Sequence, residues 1–252
     1  MTLHRDAVPV LDVDATPLTV DGLVSTLQGF IDGRSLHMVA GHNLHSVTLC
    51  HRDRSFREFY DQCDVVLLDG APVVWLWNRT AQVEGSPMNY RLGSTDWIPA
   101  LGRLSELHRV AVLGAGQEAN DGAVAKLAGF LPDAEVKGMP GQGWNASTEE
   151  AALVWLNDFK PQLVLIGLGM PLQEQVLQRR RSQLPAAIYC SVGGAIEQVA
   201  GVQRLAPRWL GRLGLEWAWR LLLHPTRVAY RVFIEPWQLV GLLIRRRIGF
   251  RA

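Results

Sequence analysis

Five short apolar runs, each ending in a glycine-containing loop, constrain this chain more than any other feature. They are SLHMVAGHN (35–43), VVLLDG (65–70), RVAVLGAG (109–116), PQLVLIGLG (161–169) and AAIYCSVGG (186–194). Between them lie stretches with helical spacing, such as LHSVTLCHRDRSFREFYDQC (44–63) and EEAALVWLNDFK (149–160). A strand that is apolar at successive positions must be covered on both faces, which requires a parallel sheet between two layers of helices. The pattern predicts a doubly wound α/β domain with a mostly parallel sheet. At 252 residues the chain can bury a core of that size.

In such sheets ligands bind in the crevice beyond the carboxyl ends of the strands. The loops GHN (41–43), DGAP (69–72), GAGQ (114–117), GLGMPLQE (167–174) and VGG (192–194) all follow predicted strands and so can line one cleft. Asp69 is the odd residue among them, a carboxylate inside the apolar run VVLLDGAPVVWLW. Burying such a group is costly unless it is bonded or kept for chemistry. Two readings stand: an N-cap for the helix that follows, or a general base at the cleft floor. Local sequence alone favours the cap. Asp96 in GSTDW is open in the same way, as a loop carboxylate, a cap or a ligand contact. His37, His42, His45 and His51 lack metal-ligand spacing and read as incidental.

Two glycine-rich loops carry rival chemistries. LGAGQEA fits the dinucleotide fingerprint, with Glu135 about 20 residues on, and would support an NAD-dependent oxidoreductase. The acid, however, opens AEVKGM instead of closing it, and a turn that merely packs a helix close to the sheet explains the glycines as well. In GLGMPLQEQ, Pro171 suits a first helical turn. Gln173 and Glu174 would then point from the helix N-terminus, a ready anion site, into the cleft. The alternative is a capping arrangement around Glu174.

Charge separates the C-terminal end from the rest. Residues 204–252 hold ten Arg, no Lys, and only Glu216 and Glu235 as acids, a net charge of +8 in a chain whose total is +1. Trp209, Trp217, Trp219 and Trp237 are interleaved with these arginines. That mixture suits an anionic membrane surface, where each basic residue contributes about 1 kcal/mol. A helical hairpin packed on the core, with its arginines solvated, would share the composition; nucleic acid is disfavoured by the apolar content. Three cysteines without C-x-x-C spacing fit neither a disulfide framework nor a zinc site, and suit a reducing cytosol. MTLHRDAVPVLDVDATPL has no secretory pattern, and no apolar run reaches the roughly 18 residues of a membrane span. The expected division is a catalytic domain over 1–203 and a basic, Trp-rich appendage over 204–252.

In their order, VVLLDGAPVVW, RLGSTDWIPAL, GLGMPLQE and SVGGAIEQVAG, followed by APRWLGRLGLEW, resemble the WecG/TagA/CpsF glycosyltransferases from about Leu36 to Arg231. The resemblance implies a Rossmann-like enzyme whose helical appendage docks on the inner face of the bacterial cytoplasmic membrane. It implies inverting transfer from a UDP-sugar to a polyprenyl-pyrophosphate-linked glycan in surface polysaccharide synthesis. By motif, Asp69 is then the base, with Asn43 organising the sugar site and Gln173 contacting the donor as a third catalytic residue. Arg91, Asp96, Glu174, Gly193, Gly194 and Glu197 would contact substrate, and Arg220, Arg227 and Arg231 would close over the diphosphate. The chain departs from the usual family pattern at Gly41 (often Thr), at Ser94-Thr95-Asp96 (G-x-D), at Leu172 (Lys) and at Ile196-Glu197 (F-D). No D-x-D motif stands in a suitable loop, Asp12-Val13-Asp14 lying in the tail before the fold, so transfer without metal or cofactor is expected.

Overall fold

A computed structural model describes residues 3–203, 210, 216–223 and 229–247. Six parallel strands form the main sheet: β3 (His37–His42), β4 (Val65–Leu68), β5 (Arg109–Gly114), β6 (Glu135–Met139), β7 (Leu163–Gly167) and β8 (Ile188–Ser191). Their spatial order is β4-β3-β8-β7-β5-β6. The chain therefore starts near one side, adds β4 as an edge, crosses over to β5 and β6, and fills the gap with β7 and β8.

Side chains alternate between two cores along each strand, as a period of two requires. Val39, Val65, Leu67, Val110, Val112 and Leu165 point to one face. There they meet Leu23 and Leu27 of α1 (Val20–Gly33), Ala123 and Leu127 of α6 (Gln117–Phe130), and Ile196 of α9 (Ala195–Ala200). Met38, Ala40, Val66, Leu113, Val164 and Ile166 point to the other. That layer holds α2 (Leu44–Arg52), α3 (Arg54–Asp61), α7 (Ala146–Phe159) and α8 (Leu172–Arg180). Each large apolar side chain buried this way contributes about 1.5–3 kcal/mol. The predicted doubly wound sheet is the one observed.

Three features differ from expectation. The stretch 44–63 is two helices, because Asp53 takes an extended conformation and its carboxylate accepts from Ser55 N (2.8 Å) and Phe56 N (3.2 Å), starting α3 anew. Secondly, the N-terminal segment is no tail. Strands β1 (Asp6–Val8) and β2 (Val13–Ala15) form a hairpin that buries Val8, Leu11 and Val13 against Val73, Val74 and Trp77 of α4 (Ala71–Ala81). Thr16 then exchanges bonds with Val66, so the open edge at β4 is covered. Thirdly, α8 begins at Leu172, with Pro171 at its N-cap after a cis Met170–Pro171 peptide.

Of the C-terminal segment, helices Glu216–Leu223 and Glu235–Arg247 are described. The second packs on α2 and contributes Leu239 to the core beneath α4. Among the described residues no helix is long and apolar enough to cross a membrane. Cys50, Cys63 and Cys190 are free and buried.

Candidate active site

Asp69 stands one residue past the end of β4. Its N–H and that of Gly70 both donate to the carbonyl of His42, the last residue of β3 (3.0 and 3.2 Å). This clamp sets the acid at the carboxyl edge of the sheet. The cap reading fails here, because Gly70 is the N-cap of α4 and makes no side-chain cap bond. The Asp69 carboxylate accepts instead from Asn43, Nδ2 to Oδ2 at 3.1 Å.

Asn43 serves two purposes. Its Oδ1 accepts from Ser46 N (3.1 Å) while Ser46 Oγ accepts from Asn43 N (3.0 Å), a reciprocal capping box that starts α2. With Oδ1 so occupied, the amide nitrogen is the end left to face Asp69. The helix cap thus orients the donor to the acid.

Glycines make room around this pair. A Cβ at Gly41 would lie 3.2 Å from Asp69 Cβ, and one at Gly70 would lie 3.3 Å from Asn43 Cα. At Gly93 it would lie 3.0 Å from Asp69 Oδ1, 3.2 Å from Asp96 Oδ2 and 3.7 Å from an Arg91 nitrogen. The RLGSTD loop reaches this position because Leu92 N bonds to Leu68 O (2.8 Å), alongside β4. Asp96 Oδ2 accepts from Gly93 N (3.0 Å) and pairs with Arg91 (3.2 Å). It therefore caps its own turn and aims the Arg91 guanidinium, a cation beside the acid.

The other predicted residues occupy neighbouring strand ends. Gly193 (φ 52°) and Gly194 follow β8, which pairs with β3. Glu197 lies in the first turn of α9, half-buried. Gln173 and Glu174 follow β7 as a buried pair, Gln173 Nε2 donating to Glu174 Oε1 at 2.7 Å. Arg227 lies outside the described residues, as do the side chains of Arg220 and Arg231. Strands β4, β3, β8 and β7 are adjacent, so the predicted groups share one edge.

Burial pushes the Glu174 carboxyl from the usual 4.5 up to about 7. Such a group binds its proton more tightly when folded, so stability falls as pH rises from about 4.5 to about 7 and is level above. Melting of Glu174→Gln should lack this slope, a difference on the order of 3 kcal/mol across the window. Parallel melting curves for the two proteins across that range would refute it. His42 behaves oppositely: burial pushes its imidazole down to about 3, and the neutral ring stacks on Tyr60 at 4.4 Å.

The dinucleotide reading loses its acid. Glu135 pairs in register with Arg109, so both lie at the amino edge of the sheet, away from the crevice, and Glu135 forms an exposed ion pair with Lys137 (2.8 Å). Sequence reasoning missed the closeness of Gly41 and Gly93 to Asp69 and the role of His45, which bonds to Glu235 at 2.6 Å. The Asn-x-x-Ser spacing at 43–46 was a usable cap signal; nothing local marks the glycines as neighbours of Asp69.

A family model described as "Glycosyl transferase WecG/TagA/CpsF family" matches residues 8–252. The N-acetylglucosaminyldiphosphoundecaprenol N-acetyl-beta-D-mannosaminyltransferases of Staphylococcus aureus strains MRSA252 and NCTC 8325 / PS 47 are each 24% identical over 225 residues, covering 88% of this chain and 86% of theirs. With a match that runs nearly end to end, the chain belongs to the WecG/TagA/CpsF glycosyltransferase family.

Proposed function

We propose that this protein transfers a sugar from a UDP-sugar to a polyprenyl-pyrophosphate-linked saccharide at an anionic membrane surface, with Asp69 as general base. The observation that carries this reading is the Asp69 carboxylate. It is at the sheet's carboxyl edge, unused by the helix cap, held by Asn43 and close to Arg91. Asp69 takes the proton of the acceptor hydroxyl as that oxygen attacks the anomeric carbon. The bond to UDP breaks on the opposite face, so configuration inverts. Charge that develops on the leaving diphosphate is met by cations, for which Arg91 and the appendage arginines are suited. The names of the relatives, which act on an undecaprenyl-diphosphate sugar, support the acceptor class.

Membrane docking is supported by the apolar residues left exposed on one C-terminal stretch. Tyr230, Phe233, Ile234, Trp237, Val240 and Ile244 recur at helical spacing, with Trp237 75% exposed. On this reading residues 204–252 form the appendage, on the cytoplasmic face where nucleotide sugars occur. Purified protein should release UDP from one member of a UDP-sugar panel only when a lipid-pyrophosphate saccharide is present. Trp237→Glu should weaken sedimentation with anionic vesicles by about 10-fold, the loss of one buried aromatic side chain. No UDP release from any donor, or unchanged sedimentation, would count against the reading.

A further inference from the structure

We propose that Glu235 and His45 are positioning residues which register the C-terminal helix on the catalytic acid. The rate consequence rests on the transfer reading above; the conformational consequence rests on geometry alone. Glu235 begins helix Glu235–Arg247, its side chain is 2% exposed, and its Oε1 lies 2.6 Å from His45 Nδ1. Apolar contacts such as that of Leu239 hold a helix against a surface but tolerate sliding. A directional pair with a buried acid does not, because a slipped register leaves that acid uncompensated in the interior.

The register matters because of where His45 sits. It occupies the first turn of α2, two residues after Asn43. Asn43 caps α2 through Oδ1 and holds Asp69 through Nδ2. The route from Glu235 to the base is thus one hydrogen-bonded pair, one helical turn and one hydrogen bond of 3.1 Å. A second hydrogen bond, Arg52 to Gln238, ties the far end of α2 to the same helix. Two attachments along α2 fix its tilt as well as its position.

The other side of the C-terminal helix is exposed, at Trp237 and Val240. It follows a wide turn, Tyr230–Ile234, in which Glu235 N–H bonds back five residues to Tyr230 O. Pro236 explains that turn, since its ring crowds the carbonyl four residues earlier and it has no N–H to donate. One rigid helix therefore presents apolar side chains outward and Glu235 inward. Contacts made by its outer face can bear on the Asn43–Asp69 pair.

The test compares full-length wild type, Glu235→Gln, His45→Ala and the reversed pair H45E/E235H. Each single variant should lower kcat about 10-fold, with the donor KM within about twofold, since small displacements of a catalytic group cost rate more than binding. The reversed pair should recover most of the loss. Single variants within about twofold of wild type, or a reversed pair no better than either single, would overturn the proposal. Should the wild type transfer no sugar from any donor, the transfer reading fails but the coupling is still read by hydrogen exchange. Amides of residues 43–49 should then lose about 10-fold protection in Glu235→Gln, while β7 stays protected. Unchanged protection at 43–49 would overturn the coupling by itself.

Discussion

Replacing Asp69 by asparagine should lower UDP release about 10²–10⁴-fold, the range contributed by a positioned base. Asparagine has the size of aspartate and keeps an oxygen to accept from Asn43 Nδ2, now 3.1 Å from the carboxylate. The clamp through Asp69 N–H to His42 O is a backbone bond and is unaffected. The variant should therefore melt close to the wild type and bind donor normally, losing kcat rather than raising KM. What it cannot do is take the proton of the acceptor hydroxyl. Near-normal turnover in Asp69→Asn would remove this residue as base and leave Arg91 and Asn43 as a binding site without its acid.

The second large effect is on stability. Gly114→Ala should cost about 3 kcal/mol or more, a substantial share of the roughly 5–15 kcal/mol that holds a protein folded. Gly114 has φ 117°, a conformation in which a side chain is strained by about 1–3 kcal/mol. An added Cβ would also lie 2.5 Å from both the carbonyl carbon and oxygen of Gly167, and 2.9 Å from Leu168 N. These are backbone atoms at the tip of β7 and cannot rotate away. Gly167 is itself pressed against β8's loop, its Cβ position only 2.7 Å from Gly193 O. The ends of β5, β7 and β8 thus interlock main chain against main chain. Relief would require two strand ends to move, and the melting temperature should fall by roughly 10 °C. Gly116→Ala is the control: its φ is −74° and its Cβ would meet nothing within 4 Å. It should change stability by no more than about 0.5 kcal/mol. A Gly114→Ala protein that melts with the wild type would refute the interlocking account.

That pair of glycines also decides what GAGQEA is for. Glycine-rich loops after strands look alike in sequence whether they cradle a pyrophosphate or let two strands touch. Here Gly114 is required by its neighbours, and Asn120 of the following helix donates to the carbonyls of Val112, Gly114 and Met139. The loop is built to hold β5, β6 and α6 together. Its resemblance to a dinucleotide motif follows from a shared need for close backbone approach.

The layered sheet and its crevice loops were legible because burial on both faces forces a continuous apolar run, and such runs are local. Asp69 was legible as an anomaly, a charge where only apolar residues belong. Whether it capped a helix was not, because Asp69 and Gly70 compete for the same position and the backbone path past β4 decides between them. The N-terminal hairpin escaped for a related reason. Strands of three residues carry little periodicity, and these form to cover the edge at β4.

The sequence alone determined the α/β class, the strands that end in glycine-containing loops, the family, and the basic, Trp-rich character of the C-terminal segment. Periodicity, composition and motif order are properties of the chain itself. Tertiary structure decided that Asn43 faces Asp69, that Gly93 brings Arg91 and Asp96 beside it, that Glu135 lies at the wrong edge, and that Glu235 finds His45 across 190 positions. Each of these is a contact between residues distant in the chain, fixed by hydrogen-bond direction and close packing, neither of which leaves a local trace.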